Sequence, residues 1–184
     1  LFMDSHPHDV FAIFFQDDVT AADTQAAFVR SGLIDEVYTH ETGAPWPTLR
    51  EMIHQHKRLV VMAENGGPPP AWYGHGWELT SDTSFNVQVP ADLNCALNRG
   101  KATNDLFLLN NWIAKTVPQE SDAAQVNSYS FLLNRAKTCM AERGRLPNFI
   151  AVNFYETGDL LRVVDTMNGL DAKQPKDESL AKIP

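Results

Sequence analysis

Polar side chains follow four short apolar runs of the sequence: VFAIFF (10–15), RLVVMA (58–63), DLFLLN (105–110) and FIAVNF (149–154). Such groups suit the binding of hydroxylated ligands. The amides among them bind hydroxyls well but are poor proton acceptors. Asp18 and Glu156 are more simply explained as caps of the helices that follow. The remaining candidates after the four runs are Gln16, Asp17, Glu64, Asn65, Asn110, Asn111, Asn153 and Tyr155.

The elements that must position these residues are strands alternating with amphipathic helices. The four runs are rich in aromatic and β-branched residues, which favours strands buried on both faces of a parallel sheet. A further strand is predicted near Phe85–Val89. Helix signals are predicted at Thr20 with Gly32, at Thr48 with Glu51 as a capping box, at Ser121 with Gly144, and at Thr157. The pattern indicates an α/β fold of parallel βα units, whose strand ends meet at one rim.

The charge and the motifs exclude several classes of protein. The chain of 184 residues carries a formal charge of −8, which argues against nucleic-acid binding and against attraction to anionic lipid. The G-x-S-x-G, Walker, H-E-x-x-H and G-x-G-x-x-G motifs are absent, and no spacing is typical of a metal site. His75 is the one histidine expected near the rim, and a structural or exposed role suits it better.

Two further features leave alternatives open. Cys95 and Cys139 are the only cysteines, and they allow either one disulfide in an oxidising compartment or two buried thiols. Trp72, Tyr73 and Trp77 crowd one loop. They could pack against the domain or dip among lipid headgroups, and the packing interpretation is favoured because large aromatic side chains are usually well buried.

The segments PWPTLREMI, KRLVVMAEN, LNRGKATNDLFLLNNWI and RAKTCMAERGRLPNFIAVNFYETGDLLRVVDTMNG occur in this order. Together they resemble bacterial PLC-like phosphodiesterases with the X domain of phosphatidylinositol-specific phospholipase C. The resemblance implies a TIM barrel of the (β/α)8 type, incomplete in this chain, with residues 1–170 as its C-terminal part and 171–184 as a polar tail. The first residue is Leu1, and we expect the chain to be a fragment.

The resemblance also implies roles for individual residues. Family catalysis uses a histidine pair and an arginine on earlier strands, which we expect outside this chain, so the fragment alone should be inactive. Asn153 occupies a position where the family often has an aspartate that orients the base histidine. Asn111 and Gln16 stand where histidine and glutamate are common. The residues predicted to bind substrate are Gln16, Asp17, Glu64, Asp82, Asn110, Asn111 and Tyr155.

The resemblance implies a secreted phosphoric diester hydrolase of lipid metabolism, acting on a phosphoinositide or a related phosphodiester, with Cys95 paired to Cys139. The alternative is a catalytically degenerate barrel that binds a sugar or lipid headgroup, which the amides at positions 16, 111 and 153 favour. Calcium use, as in eukaryotic relatives, is a weaker possibility that Asp17, Glu64 and Asp82 permit.

Overall fold

The computed structural model describes residues 2–170, and the predicted polar tail at 171–184 lies outside the described residues. The chain divides into two compact units. The first comprises Leu1–Ser81 and Gly100–Asp105, and the second comprises Asp82–Arg99 and Leu106–Pro184. No helix in residues 2–170 is both long enough and apolar enough to cross a membrane.

The first unit contains a three-stranded sheet and short helices. In chain order its elements are α1 (Phe2–Ser5), β1 (Phe11–Phe15), α2 (Ala21–Ser31), a 3-10 helix (Leu33–Glu36), α3 (Leu49–His54), β2 (Leu59–Ala63), β3 (Tyr73–His75) and α4 (Gly76–Leu79). The strands run parallel in the order β1-β2-β3. Phe15 and His75 both pair with Ala63, so the three strands end side by side.

The helix signals of the first unit are confirmed. The Thr20 hydroxyl accepts a hydrogen bond from the Asp23 amide at 3.1 Å, and Gly32 ends α2 in the left-handed region with a φ of 74°. At α3, Thr48 and Glu51 form the predicted capping box, because each accepts a hydrogen bond from the backbone of the other. These local bonds satisfy backbone groups that a helix end otherwise leaves unpaired.

The second unit is built around β5 and β6. Strand β4 (Thr80–Asp82) contributes its last residue, Asp82, to this unit, and it pairs with β5 in a sheet of order β4-β5-β6. The following elements are a 3-10 helix (Pro90–Asp92), β5 (Leu106–Asn111), α5 (Glu120–Val126), α6 (Tyr129–Arg143), β6 (Phe149–Val152) and α7 (Leu160–Met167). Strands β5 and β6 are parallel, with Asn111 opposite Val152.

A disulfide lies in the core of the second unit. Cys95 and Cys139 are bonded, which is the pairing that the family resemblance implies. Both residues are buried, and they pack with Phe107, Leu109 and Ala136. The bond therefore joins the loop before β5 to the C-terminal half of α6.

Three of the predicted element boundaries are wrong. The long helix predicted from Ser121 to Gly144 is two helices, α5 and α6, which are separated at Asn127–Ser128. The last helix begins after Asp159 rather than at Thr157. Residues 85–89 are not a strand; the segment before β5 instead contributes the short strands β3 and β4.

The predicted barrel is also wrong. The six strands of the described residues form two sheets of three strands, and no closed barrel is present among them. The alternation of strands and helices correctly indicated parallel βα units. Alternation fixes the direction in which neighbouring strands pair, but it does not fix how many strands join one sheet or whether the sheet closes.

Candidate functional site

The predicted site residues of the first unit lie at neighbouring strand ends. Asp17 follows β1, and its carboxylate accepts hydrogen bonds from the backbone amides of Asn65 at 3.0 Å and of Gly66 at 2.7 Å. The Asn65 bond is the main reason why the pKa of Asp17 is lowered. Glu64 follows β2, and its backbone amide donates to the carbonyl of Phe15. Gln16 is exposed. Asp17 therefore holds the loop after β2.

In the second unit, Asp82 at the end of β4 is fully buried and charge-paired. Arg99 donates to it from its backbone amide at 2.7 Å and from its guanidinium at 2.9 and 2.6 Å. The side chain of Asn110, at the end of β5, donates to Asp82 at 3.0 Å and to the Thr83 carbonyl at 2.6 Å. Asp82 and Asn110, both predicted site residues, thus share one hydrogen-bond network.

A buried arginine completes this network. Arg135 of α6 is 6% exposed and donates to the carbonyls of Asn110 and Asn94, each at 2.9 Å. Loss of solvent lowers the pKa of its guanidinium to about 10. The ends of β4 and β5 are therefore fixed by two guanidinium groups, those of Arg99 and Arg135.

A small cavity lies at the ends of β5 and β6. Asn111 and Asn153 both line it, together with Asn127 from the break between α5 and α6. The Asn111 amide nitrogen donates to the carbonyl of Val126 at 3.1 Å and to the side-chain oxygen of Asn127 at 3.3 Å. Within residues 2–170, the buried Asn111 Oδ1 has no hydrogen-bond partner. The cavity of about 10 Å³ has room for about one water molecule or one hydroxyl oxygen.

Asn127 organises the backbone around this cavity. Its side-chain nitrogen donates to the carbonyl of Asn153 at 3.0 Å and to that of Thr157 at 3.1 Å. Gly158 adopts a φ of 97°, and a Cβ there would lie 2.6 Å from the Asn127 carbonyl oxygen. Only glycine fits that close approach without strain. The position of Asn153 is consequently set by Asn127.

The aromatic residues behave differently in the two units. In the first unit Tyr73 is 1% exposed, Trp72 stacks on Phe28 with ring centres 5.0 Å apart, and Trp77 packs on Phe14 at 4.7 Å. These contacts agree with the packing interpretation, and membrane contact stays a prediction. Tyr155, after β6, is 66% exposed, and its hydroxyl donates to Glu156 at 3.1 Å. That hydrogen bond to a carboxylate raises the pKa of Tyr155.

Sequence reasoning missed three residues of the second-unit network, namely Arg99, Asn127 and Arg135. Arg135 had a visible signal, because it lies between Leu132 and Ala136 on the apolar stripe of its helix. Arg99 and Asn127 had none, since the partners of their side chains lie 16 to 30 residues away in the chain.

Two of the carboxylates considered for calcium, those of Asp17 and Asp82, are already engaged in hydrogen bonds. Both oxygens of Asp17 and both oxygens of Asp82 accept hydrogen bonds from N–H groups. Residues 2–170 contain no group of three or more histidine, cysteine or carboxylate side chains that could hold a metal.

Similarity to known proteins identifies the family. The chain is 25% identical to a PI-PLC X domain-containing protein of Arabidopsis thaliana and 26% identical to PI-PLC X domain-containing protein 1 of Arthroderma benhamiae, each over 91% of this chain. It is 29% identical, over 84% of its length, to an uncharacterized secreted protein of Arthroderma benhamiae. The chain spans 42%, 61% and 41% of these three relatives, respectively.

No solved structure matches the chain significantly. The family model of the PI-PLC X domain, described as PI-PLC X 1, matches residues 1–168 and so covers nearly the whole chain. The segments that carry the resemblance in the sequence lie within that range, except for the final Gly169. The chain belongs to the PI-PLC X domain family.

Proposed function

We propose that the protein is a phosphoric diester hydrolase of the phosphatidylinositol-specific phospholipase C type, acting on a phosphoinositide or a related phosphodiester. The observation that carries the proposal is the cavity between Asn111 and Asn153 at the strand ends of a PI-PLC X domain chain. Ligands of parallel α/β folds bind at the carboxyl ends of strands. The unpartnered acceptor Asn111 Oδ1 suits a hydroxyl donor of an inositol-like ring.

The chemistry is acid–base catalysis. A base removes the proton of an inositol hydroxyl, whose oxygen then bonds to phosphorus. The phosphorus–oxygen bond to the diacylglycerol breaks as that oxygen takes a proton from an acid. The base and the acid are the family histidine pair, which we expect outside this chain, and Asn153 serves as a neutral partner that orients the base.

The direct test uses the full-length protein and vesicles containing phosphatidylinositol. Phosphorus NMR of the soluble fraction should show a cyclic inositol phosphate that accumulates with time. The chain of residues 1–184 is the matched control and should release none. A full-length protein that binds these vesicles without releasing inositol phosphate would contradict the hydrolase proposal.

Asn153→Asp in the full-length protein should raise the turnover rate. A carboxylate would stabilise the imidazolium of the base, whereas the amide has no charge and can select the wrong tautomer. The expected gain is roughly tenfold or more. The main-chain bond from Asn127 to residue 153 is retained in this variant, so the position is kept. An unchanged rate, with an unchanged unfolding midpoint, would show that residue 153 does not contact the base.

A second function has an observation of its own in its favour. Most polar side chains that line the cavity, including those at positions 111, 127 and 153, are amides, which bind hydroxyls but accept protons poorly, and its one carboxylate, Asp122, is paired with Lys115. This set favours a domain that binds a sugar or lipid headgroup without cleaving it. Saturable binding of myo-inositol, measured by calorimetry on a protein that does not hydrolyse phosphatidylinositol, would support this function. Hydrolysis at an ordinary enzymatic rate would exclude it.

We also propose that the protein is exported. One relative is named a secreted protein, and disulfides form and persist in oxidising compartments. Alkylation of the natural protein under denaturing conditions should label neither Cys95 nor Cys139 before reduction and both afterwards. Calcium dependence stays a prediction, and activity that a chelator leaves unchanged would dispose of it.

A further inference from the structure

A cavity in the first unit is lined by two segments of the chain, residues 38–46 and residues 68–79. Its volume is about 70 Å³, which is room for roughly five to seven water molecules. A tetramethylammonium ion has a similar number of non-hydrogen atoms. The cavity is therefore large enough for the head of a small organic ion, and too small for a whole lipid.

Aromatic side chains of the segment at residues 38–46 form one wall. The rings of His40 and Trp46 are stacked, with their centres 4.0 Å apart and an angle of 6° between their planes. The Tyr38 ring lies 5.8 Å from Trp46 and 6.2 Å from His40, so it stands beside the stack rather than on its outer faces. All three residues line the cavity and are only partly buried. One face of the Trp46 indole therefore lies outside the stack.

The segment at residues 68–79 adds a second indole ring and a carboxylate. Trp72 lines the cavity, and its ring is held in place by stacking on Phe28. Glu78 of α4 lines the cavity as well, and it is exposed. Its carboxylate therefore stands where the cavity opens to solvent, and it can meet a cation without losing its own solvation beforehand.

The charged groups around the cavity are negative. Loss of solvent lowers the pKa of His40, and the charges of Asp105 and Glu41 only partly oppose that effect. The His40 imidazole is consequently uncharged at neutral pH. Within residues 2–170, the lining of the cavity includes no lysine or arginine. A cation that enters would be attracted by the carboxylates of Glu41, Glu78 and Asp105.

We infer that this cavity binds a methylated ammonium group, of the kind that choline carries, against the rings of Tyr38, Trp46 and Trp72 and beside Glu78. The face of an aromatic ring attracts a cation, and tryptophan does so most strongly. A neutral group of the same shape would gain only apolar contact, and an anion would be repelled by the carboxylates. The inference does not depend on the proposed hydrolysis, since the Asn111 cavity belongs to the second unit.

The test is calorimetric titration of the intact protein with choline and with its neutral isostere, in which a quaternary carbon replaces the nitrogen. Low ionic strength and a pH of about 8 keep the carboxylates unscreened and the imidazoles uncharged. Choline should bind roughly tenfold more tightly than the isostere, because only choline carries the charge. Equal affinities would overturn the inference and leave a plain apolar cavity. No binding of choline at millimolar concentration would overturn it as well.

Free choline and the headgroup of phosphatidylcholine both carry this group, and sedimentation with phosphatidylcholine vesicles separates the two sources. Sedimentation of the protein that free choline prevents would support the inference and identify the lipid headgroup as the source. Binding of choline without sedimentation would support the inference and identify a free molecule as the source.

Substitutions in the lining locate the site. Trp46→Phe should weaken choline binding about threefold and Trp46→Leu about tenfold or more, because phenylalanine keeps a weaker ring and leucine has none. Equal losses in these two folded variants would show that the ring does not hold the cation and would contradict the inference.

The charge of Glu78 is tested separately, with a variant that should fold because the residue is exposed. Glu78→Gln should weaken choline binding about threefold, as expected for a solvated ion pair, and should leave the isostere unchanged. Glu142→Gln, the same change at an exposed position of the second unit, is the matched control and should change neither affinity. Equal choline affinities in Glu78→Gln and Glu142→Gln would place the cation elsewhere and overturn the inference.

Discussion

The polar side chains at the strand ends of the two units have opposite environments. In the first unit Gln16 is exposed, and the carboxylate of the half-buried Asp17 accepts hydrogen bonds from the backbone of the loop after β2. In the second unit Asp82, Asn110 and Asn111 are at most 1% exposed and bond to side chains and to carbonyls far away in the chain. A polar residue after a buried strand therefore predicts a strand end, and its neighbours in space decide whether it shapes a loop or a buried network.

The largest effect on stability is expected when a buried charge at a strand end of the second unit loses its partner. Arg99→Met leaves the carboxylate of Asp82 buried without its cation, and we expect a loss of about 3–5 kcal/mol in the free energy of unfolding. Lys115→Met is the control. Its ion pair with Asp122 is 2.6 Å long, as is the Arg99–Asp82 pair, but Lys115 is 44% exposed.

The control should lose only about 0–1 kcal/mol in the same denaturant titration, because solvent screens an exposed pair. If both variants lost equal stability, burial would not be what distinguishes the two kinds of strand end.

A smaller effect is expected at Asn127. Asn127→Ala removes the donor that bonds to the carbonyls of Asn153 and Thr157. It also removes the acceptor of the Asn111 side chain. The side chain of Asn127 is fully buried. The expected loss is about 1–3 kcal/mol, since buried polar groups are left unpaired. Asn65→Ala in the first unit should cost less than about 1 kcal/mol, because water replaces its exposed hydrogen bond. Urea titration of the two variants measures both, and a larger loss for Asn65→Ala would reverse the contrast.

The smallest expected effect is the pH dependence of the stability that the Asp17 carboxylate contributes. Its pKa is lowered from 3.8 in the folded protein, so folding favours the carboxylate form. The stabilisation is present above pH 3.8 and is lost as the pH falls through the lowered pKa. Asp17→Asn should therefore melt slightly below the natural protein at pH 7, and the difference should shrink below pH 3.8. A difference that grows in acid would show that Asp17 is not stabilised as a carboxylate.

Local signals predicted the elements that local bonds define. Thr20, Gly32 and the Thr48–Glu51 box were predicted correctly, because each partner lies within a few residues. The helix predicted across Asn127 failed for the opposite reason: Asn127 bonds to residues 26 and 30 positions away, and the backbone breaks there to allow it.

The positions of the candidate site residues were predictable from the sequence, but their contacts were not. Strand-end position identified Asn110, Asn111 and Asn153, since a polar residue after an apolar run is visible in the sequence, whereas Asp82 was identified only by family resemblance. Their partners and their burial were not visible, because both depend on which distant segments pack over the strand ends. Closure of a barrel was assumed from family resemblance, and nothing in the strand pattern tests closure.

The disulfide has a consequence for the charge buried at Asp82. Arg99 follows Cys95 by four residues, so the cross-link to Cys139 confines the segment that delivers the guanidinium. A chain made where thiols stay reduced would have to position that cation by non-covalent contacts alone. Oxidation of the two cysteines therefore favours the ion pair between Arg99 and Asp82. The redox state of the surroundings thus influences whether this unit can bury a charged side chain.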